Sequence, residues 1–334
     1  MPDIKFDVVG IGNAIVDVIV PVNDEFVERE NLPRGGMRLI DEAEATRLYG
    51  MVGPGLEMSG GSAANTIAGL ASLGSRTAYI GKVRNDQLGG IFRHDIRSLG
   101  VHYEVEAATS GPATARCLVL VTPDAQRTMN TFLGASVTLE NSDVDEDVVR
   151  SGSVLYLEGY LWDPPAAKEA FRRSMAIARE AGRTVALTLS DAFCVDRFRD
   201  EFRHLADDGI DLLFANEAEI KSLYQVETFD EALQQLRHRS RIAILTRGEK
   251  GSVIVSGDEI HVVDADPGVT PLDTTGAGDL FAAGFLHGFT RGFDLVRCAQ
   301  FGAMAAAEVI SHYGARPEAS LAEIAKQRGL LQDR

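Results

Sequence analysis

The sequence has few cysteines and no long hydrophobic run. Its three cysteines, Cys117, Cys194 and Cys298, are far apart and form no CxxC pair, which argues against a disulfide framework or a zinc site of paired cysteines. No segment approaches the roughly 18 uninterrupted apolar residues of a membrane span. The N-terminal residues are typical of a strand rather than of a secretory signal. We therefore expect a cytoplasmic protein that does not bind a membrane.

Basic residues are scarce relative to acidic ones. The 334 residues include 33 Lys and Arg against 49 Asp and Glu, which gives a net charge of −16. A protein with this charge is repelled by nucleic acid and by anionic lipid. Nucleic acid is therefore not an expected partner, and an anionic ligand must be bound by local features of the chain.

Runs of β-branched residues alternate with segments of helical periodicity along most of the chain. The predicted strands are 7–12, 14–20, 77–83, 153–160, 184–190, 211–216 and 242–248, and the helical segments between them include 62–73, 86–99, 165–181 and 229–239. This alternation favours an α/β fold in which helices flank a mostly parallel sheet.

Residues 101–134 interrupt the alternation, because their strand-like runs are joined by turns without a crossover helix. They predict a small antiparallel β lid, which strand-like residues at 13–22 and 34–41 could join. No linker or repeat divides the chain. We therefore expect residues 1–334 to form a single α/β domain with a discontinuous lid.

One motif combines small residues with a carboxylate at the start of a predicted helix, DTTGAGD at 273–279. A helix N-terminus binds anions through its free N–H groups, and Gly276, Ala277 and Gly278 would obstruct such a site least. Asp279 would lie in the first turn, where the helix dipole should keep it ionised. An aspartate at this position is usually only a favourable N-terminal carboxylate. Beside a phosphate cradle, however, it predicts phosphoryl transfer, with Asp279 orienting the attacking hydroxyl and accepting its proton.

Other nucleotide-binding motifs are absent or incomplete. The sequence has no GxxxxGK[ST] segment, which argues against a Walker-type ATPase. Gly10 and Gly12 begin a dinucleotide-like pattern, but Ile15 occupies the third glycine position and would crowd a pyrophosphate. A nicotinamide or flavin enzyme is therefore not expected.

A second glycine-rich segment, GGSAANTIAGLASLG, spans residues 60–74. It predicts a tight turn and a helix that Ser62 caps and Gly74 ends, and its simplest interpretation is a packing helix. Asn65 is less usual there, because it lowers helix propensity and offers both donor and acceptor groups to hydroxyls.

Together the two segments resemble the signatures of the ribokinase (PfkB) family of carbohydrate and nucleoside kinases. The resemblance covers nearly the whole chain and implies a ribokinase-like (Rossmann-like) α/β fold with a small β lid. It implies ATP as the phosphate donor, Mg²⁺, Asp279 as the base and Gly276–Gly278 as the anion hole. A monovalent cation such as K⁺ could bind backbone carbonyls near 273–275 without a side-chain signature.

The resemblance also extends to the nucleotide side. NEAE at 216–219 resembles an N-x-x-E motif that places Mg²⁺ through water, and TRG at 246–248 resembles a segment beside the nucleotide. The cofactor-binding residues that it implies are Asn216, Glu219, Thr246, Arg247, Gly248, Gly251 and Thr274.

On the acceptor side, GNAIVD places Asp17 where family members bind vicinal hydroxyls. The implied substrate-binding residues are Asp17, Asn13, Ile15, Gly60, Gly61, Asn65, Leu133, Phe193 and Arg127. Their apolar members could form a flat slot for adenine, joined by Met37 and Tyr160. Arg127 could approach the transferred phosphate or be a surface turn residue.

Several segments look closest to the adenosine kinases within this family, including TLSDAF at 188–193 and DLLFANEAE at 211–219. The expected function is ATP-dependent phosphorylation of the 5′-hydroxyl of adenosine or a similar nucleoside, as in purine salvage. One alternative is a sugar kinase of the same family acting on ribose, fructose or 2-keto-3-deoxygluconate; the acidic substrate would need an arginine or lysine in the pocket, and none stands out. Another is a non-catalytic nucleoside-binding protein. A monomer and a homodimer are both compatible with the sequence.

Overall fold

The computed structural model describes residues 3–124, 126–237 and 242–331. Its strands are β1 (Phe6–Ile11), β2 (Ile15–Pro21), β3 (Met37–Leu39), β4 (Leu56–Gly60), β5 (Thr77–Ile80), β6 (Ala115–Val121), β7 (Arg127–Phe132), β8 (Gly152–Glu158), β9 (Thr184–Thr188), β10 (Leu212–Asn216), β11 (Ile242–Thr246), β12 (Ser252–Ser256) and β13 (Glu259–Val263). Its α-helices are α1 (Asp24–Arg29), α2 (Glu42–Met51), α3 (Ser62–Ser72), α4 (Gln87–Ser98), α5 (Glu146–Arg150), α6 (Pro165–Glu180), α7 (Ala192–His204), α8 (Glu217–Tyr224), α9 (Phe229–Leu236), α10 (Ala277–Thr290), α11 (Leu295–Val309) and α12 (Leu321–Gln327).

Eight strands form the main sheet, in the order β13-β12-β11-β10-β9-β8-β1-β5. The six strands from β11 to β5 pair in parallel, and β12 and β13 add an antiparallel edge. The parallel strands are almost continuously apolar and buried, as expected where helices cover both faces of a sheet. This arrangement confirms the predicted α/β class.

Helix α10 packs against α3 and α11 at close range. A side chain at Gly69 of α3 would lie 2.5 Å from a Leu280 methyl group, and one at Gly284 would overlap the backbone of Phe301. Glycine at these two positions lets the three helices approach closely. As a result, the N-termini of α3 and α10 lie next to each other.

A second sheet, with the order β3-β7-β6-β2-β4, forms the lid. Strand β2 follows β1 after only three residues, so the chain passes directly from the main sheet into the lid. Side chains alternate along β2 as in any strand. Val16, Val18 and Val20 are buried, whereas Ile15, Asp17 and Ile19 are partly exposed and line a cavity.

The structure differs from the prediction in three strand assignments. Strand β4 joins the lid although no strand was predicted at Leu56–Gly60; its pairing with β2 compensates for its lack of β-branched residues. Within 101–134, expected in the lid, His102 and Ala108 instead form bridges with Ala78 and Arg84 beside β5. Strands β12 and β13 were not predicted.

The predicted helix at 229–239 is α9, which ends at Leu236; residues 238 and 239 lie outside the described residues. Among the helices that the structure describes, none is long and apolar enough to cross a membrane.

Candidate active site

A cavity of about 710 Å³ lies between the lid and the carboxyl ends of the parallel strands. The last residues of four neighbouring strands line it: Glu158 of β8, Thr188 of β9, Asn216 of β10 and Thr246 of β11. Open α/β sheets bind ligands at this edge, because the loops that follow the strands converge there.

Asp279 lies in the first turn of α10 and reaches this cavity. Ser62 Oγ donates a hydrogen bond to Asp279 Oδ1 at 2.6 Å, and Asn65 Nδ2 donates to Asp279 Oδ2 at 3.0 Å. Both donors come from the first turn of α3. Ser62 is therefore not the predicted helix cap; Gly61 occupies that position, and the Ser62 hydroxyl binds the carboxylate instead.

The charge state of Asp279 depends on these donors. Burial raises the pKa of Asp279, and the hydrogen bonds from Ser62 and Asn65 oppose that rise. The sequence predicted that the helix dipole would keep this carboxylate ionised. The structure adds a second local cause, because two direct donors bind the charged form.

The glycines before Asp279 shape an open helix N-terminus. Gly276 has a left-handed conformation, with φ at 78°, and a side chain there would lie 2.8 Å from the backbone of Ala315. A side chain at Gly278 would meet nothing within 4 Å. In the part of the chain that the structure describes, no side chain caps this terminus, and Gly276, Ala277 and Gly278 all line the cavity.

Arg127 connects the lid to the same motif. Its Nη1 donates to Thr275 Oγ1 at 2.9 Å, and its Nη2 lies 2.5 Å from Asp273 Oδ2. The guanidinium also stacks over Tyr313, 5.6 Å from the ring centre. Since only 12% of the side chain is exposed, Arg127 is not a surface turn residue. It lines the cavity near the N-terminus of α10.

Asp17 lines the cavity from β2, which lies between β6 and β4 in the lid sheet. Burial raises its pKa to about 6, although the positive charges of Arg316 and Arg127 act in the opposite direction. Gly60 does not line the cavity; a side chain there would collide with the Asp17 carboxylate. Gly61 does line the cavity, and its φ of 96° favours glycine.

Asn13 is held by Glu158, a cavity residue that the sequence reasoning missed. Asn13 Nδ2 donates to Glu158 Oε1 at 2.6 Å, and the backbone N–H of Ala63 donates to Glu158 Oε2 at 2.8 Å. Burial raises the pKa of Glu158 to about 7. A single glutamate that ends the apolar run SVLYLE was the available signal, since a buried carboxylate is unusual.

Asn216 and Glu219 form a capping box at the start of α8. Glu219 Oε1 accepts from Asn216 Nδ2 at 2.5 Å, and Asn216 Oδ1 accepts from the Glu219 N–H at 2.9 Å. Both residues line the cavity, and burial raises the pKa of Glu219 to about 7. Across 3–124, 126–237 and 242–331, no three His, Cys, Asp or Glu side chains are grouped as metal ligands.

The other residues expected on the nucleotide side divide into two groups. Thr246 and Thr274 line the cavity, whereas Arg247, Gly248 and Gly251 do not. Arg247 Nε donates to Glu217 at 2.9 Å, and its guanidinium stacks 4.0 Å from the centre of the Phe229 ring. The structure therefore brings the two threonines to the cavity, whereas Arg247, Gly248 and Gly251 lie outside its lining.

The residues of the predicted apolar slot line the same cavity as Asp279. They include Ile15, Leu133, Phe193, Met37 and Tyr160. Phe193 is the most open of these, with 59% of its surface exposed.

Two arginines, Arg127 and Arg197, also line the cavity. The expectation that no arginine stands out in the pocket is therefore wrong. Arg127 was expected as a substrate-binding residue, whereas Arg197, which follows Phe193 by one helical turn of α7, was missed.

The whole arrangement has a counterpart in a known family of enzymes. The family model described as pfkB family carbohydrate kinase matches residues 56–321, which include both glycine-rich motifs. The chain belongs to this family. It is a phosphotransferase with an alcohol group as acceptor, and ATP use is expected for the family.

Similar proteins include both sugar and nucleoside kinases. A probable sugar kinase from Rhizobium etli is 50% identical, with a TM-score of 0.93 over 98% of this chain and 100% of that one. Adenosine kinase from Sinorhizobium meliloti is also 50% identical, with a TM-score of 0.92 over 97% and 99%. Adenosine kinase from Saccharomyces cerevisiae is 25% identical over 91% of this chain and 94% of its own. These likenesses agree with the resemblance to the ribokinase family and its adenosine kinases.

Proposed function

We propose that this kinase transfers the γ-phosphate of ATP to the 5′-hydroxyl of adenosine or a similar nucleoside. One observation carries the proposal: the Asp279 carboxylate, bound by Ser62 and Asn65, adjoins the glycine-rich N-terminus of α10 in the same cavity as Asp17. Phosphoryl transfer needs a base, an anion site and an acceptor site within reach of one another.

In the proposed reaction, Asp279 orients the acceptor hydroxyl and accepts its proton. The N–H groups of Gly276, Ala277 and Gly278 stabilise negative charge on the moving phosphoryl group, because they lie at the positive end of the α10 dipole. Arg127, held at the edge of this motif, is placed to add a positive charge once the donor is bound.

A nucleoside acceptor suits the opposite side of the cavity. Asp17 can accept hydrogen bonds from both hydroxyls of a ribose diol. Ile15, Leu133 and Phe193 offer apolar surface to the nucleobase. The likeness to the S. meliloti adenosine kinase, at 50% identity over nearly the full chain, supports the same acceptor class.

A sugar acceptor is the second candidate. Polar side chains of Asn13, Glu158, Arg127 and Arg197 also line the cavity, and the R. etli relative at 50% identity is described as a probable sugar kinase. Ribose and fructose would use the same Asp17 and Asp279. With 2-keto-3-deoxygluconate, an arginine of the cavity would have to bind the carboxylate.

Magnesium fits the acidic character of the nucleotide side. Glu219 and Asn216 would hold the ion mainly through water, together with the phosphates. The buried Glu219 carboxylate is influenced by the negative charges of Asp191 and Asp279, which a divalent cation would offset. When bound, the ion neutralises charge on the phosphates. Potassium near 273–275 stays a prediction.

The proposal includes a cytoplasmic location. All three cysteines are buried free thiols, which is the usual state in a reducing compartment.

The test of this function is ADP formation from Mg-ATP with adenosine, ribose, fructose and 2-keto-3-deoxygluconate at matched concentrations. Strong preference for adenosine supports the nucleoside proposal, and preference for a sugar replaces it with the second candidate. No turnover with any acceptor, in a folded protein that binds adenosine, would instead favour a binding protein.

A further inference from the structure

We propose that Arg316 is a positioning residue of the kinase reaction, which orients the Asn65 amide toward Asp279. Arg316 belongs to neither glycine-rich motif and does not line the cavity. The inference rests on the proposed roles of Asp279 and Asp17.

The segment that carries Arg316 is attached to the DTTGAGD motif. The backbone N–H groups of Leu272 and Asp273 donate to the carbonyl of Ile310, and the N–H of Gly314 donates to Asp273 Oδ2 at 2.9 Å. Ala315 packs against Gly276 so closely that a side chain on that glycine would collide with it. The loop after α11 therefore has a defined position behind the anion site.

From this loop, the guanidinium reaches the far side of Asn65. Arg316 Nε lies 3.4 Å from Asn65 Oδ1, while Asn65 Nδ2 donates to Asp279 at 3.0 Å. An arginine can only donate, and an ionised carboxylate can only accept. Both neighbours therefore select the same orientation of the amide. Because 3.4 Å is long for a hydrogen bond, we assign Arg316 an orienting role rather than a large binding energy.

The positive charge of Arg316 also influences Asp17, which agrees with a position behind the site. The charged groups that influence Asp17 are Arg316, Arg127 of β7, Asp279 of α10 and Asp273 of the motif loop. Burial and then the charge of Asp17 raise the pKa of the Cys117 thiol of β6. The two arginines oppose the effect of burial, and Arg316 is the larger of the two influences. Removing its charge should favour the protonated form of Asp17, which cannot accept two diol hydrogen bonds through a full carboxylate.

The buried position of Arg316 disfavours its charged form. Burial lowers its pKa to about 10, with Asp95 and Asp17 acting in the opposite direction. Its Nη2 atom is buried and has no hydrogen-bond partner among the described residues. A purely structural buried arginine is usually well paired, because leaving a charge unpaired is costly. The carboxylates that act most strongly on this arginine are Asp95 of α4 and Asp17 of the proposed site.

The experiment compares Arg316→Met and Arg316→Lys with the unmodified protein on whichever acceptor it phosphorylates. It measures kcat, KM and the pH dependence of kcat/KM. Arg316→Met should lower kcat roughly 10- to 100-fold, as expected for a misplaced catalytic group, and should move the acidic limb of kcat/KM to higher pH by about one unit. Arg316→Lys should keep the limb near its original position, because the charge remains, but should not restore kcat, because an ammonium lacks the guanidinium fork.

Arg183→Met is the matched control. Arg183 is also buried, and its Nε donates to the Arg150 carbonyl at 2.8 Å, but it does not line the cavity. This variant should retain kcat and the pH profile. The proposal is overturned if Arg316→Met leaves both quantities unchanged, or if Arg183→Met changes them as much.

If Arg316→Met does not fold, Arg316→Lys decides the question in the background of Asn65→Ala. A kcat loss that disappears in that background supports action through Asn65, and additive losses contradict it. A failure of the Arg316 proposal can be distinguished from a failure of the proposed function. Full turnover in Asp279→Asn rejects the proposed base, and preference for a sugar rejects the nucleoside, whatever the Arg316 variants do.

Discussion

The two sides of the cavity differ in how their side chains are held. On the side of the main sheet, Asp279 is bound by Ser62 and Asn65, and Asp273 is bound by Thr275, Gly314 and Arg127. Elsewhere in the cavity, Asp17 of the lid and Phe193 of α7, which is 59% exposed, form part of the lining. A preorganised polar network suits chemistry that is common to a family. An open, mostly apolar surface suits the part of a site that changes with the acceptor.

The largest expected effect comes from the main-sheet side. Asp279→Asn should lower kcat by about 10²- to 10⁴-fold, because the general base is lost. Acceptor binding should change little, since the cavity and Asp17 remain. Steady-state kinetics together with calorimetric titration of adenosine measure the two quantities. Turnover near that of the unmodified protein would remove Asp279 from the mechanism.

Asp17→Ala should act on the lid side and produce the reverse pattern. Loss of the hydrogen bonds from the diol to the Asp17 carboxylate costs about 1.5–3 kcal/mol. This loss should raise KM for the nucleoside roughly 10- to 100-fold, while kcat changes less. Use of 2′-deoxyadenosine as readily as adenosine by the unmodified protein would show that the diol contact is wrong.

The pH dependence tests whether Asp17 binds the acceptor as a carboxylate. Its pKa is about 6, so the binding form is present above that value and is lost as the pH falls through it. We therefore expect kcat/KM for adenosine to fall by about tenfold per pH unit below pH 6. Asp17→Asn is the control, because an asparagine side chain at position 17 does not titrate. The same limb in this variant would assign the titration to another residue.

The smallest expected effect comes from a substitution in the apolar slot. Phe193→Ala should raise KM for adenosine only a few-fold, because the ring is largely exposed and a half-buried aromatic contributes about 1 kcal/mol. KM for ribose, which lacks the base, should not change. Equal effects on both acceptors would contradict the assignment of Phe193 to the base slot.

The difference between the two sides also explains what the sequence could predict. DTTGAGD combines a helix N-terminus, a left-handed glycine and a carboxylate within seven residues, so its local chemistry can be read directly. The alternation of strands and helices likewise predicts the α/β class. The roles of these residues in catalysis and binding remain predictions until the variants are measured.

The unpredicted features depend on contacts between distant segments. Ser62 meets Asp279 across 217 positions, and Arg316 meets Asn65 across 251. Strand β4 forms because β2 offers a pairing edge, although LEMSG has little strand propensity of its own. The hairpin of β12 and β13 is different, because SVIVSGDEIHVV contains β-branched runs around a Gly-Asp turn, so its signal was available in the sequence.

The most direct test of the central claim is the identity of the phosphorylated product. The unmodified protein is incubated with Mg-ATP and equal concentrations of adenosine and ribose, and the products are followed by ³¹P NMR. The account predicts ADP together with an adenosine monophosphate carrying its phosphate on the 5′-oxygen. Ribose phosphate as the main product, with adenosine unchanged, would contradict the nucleoside site on the lid.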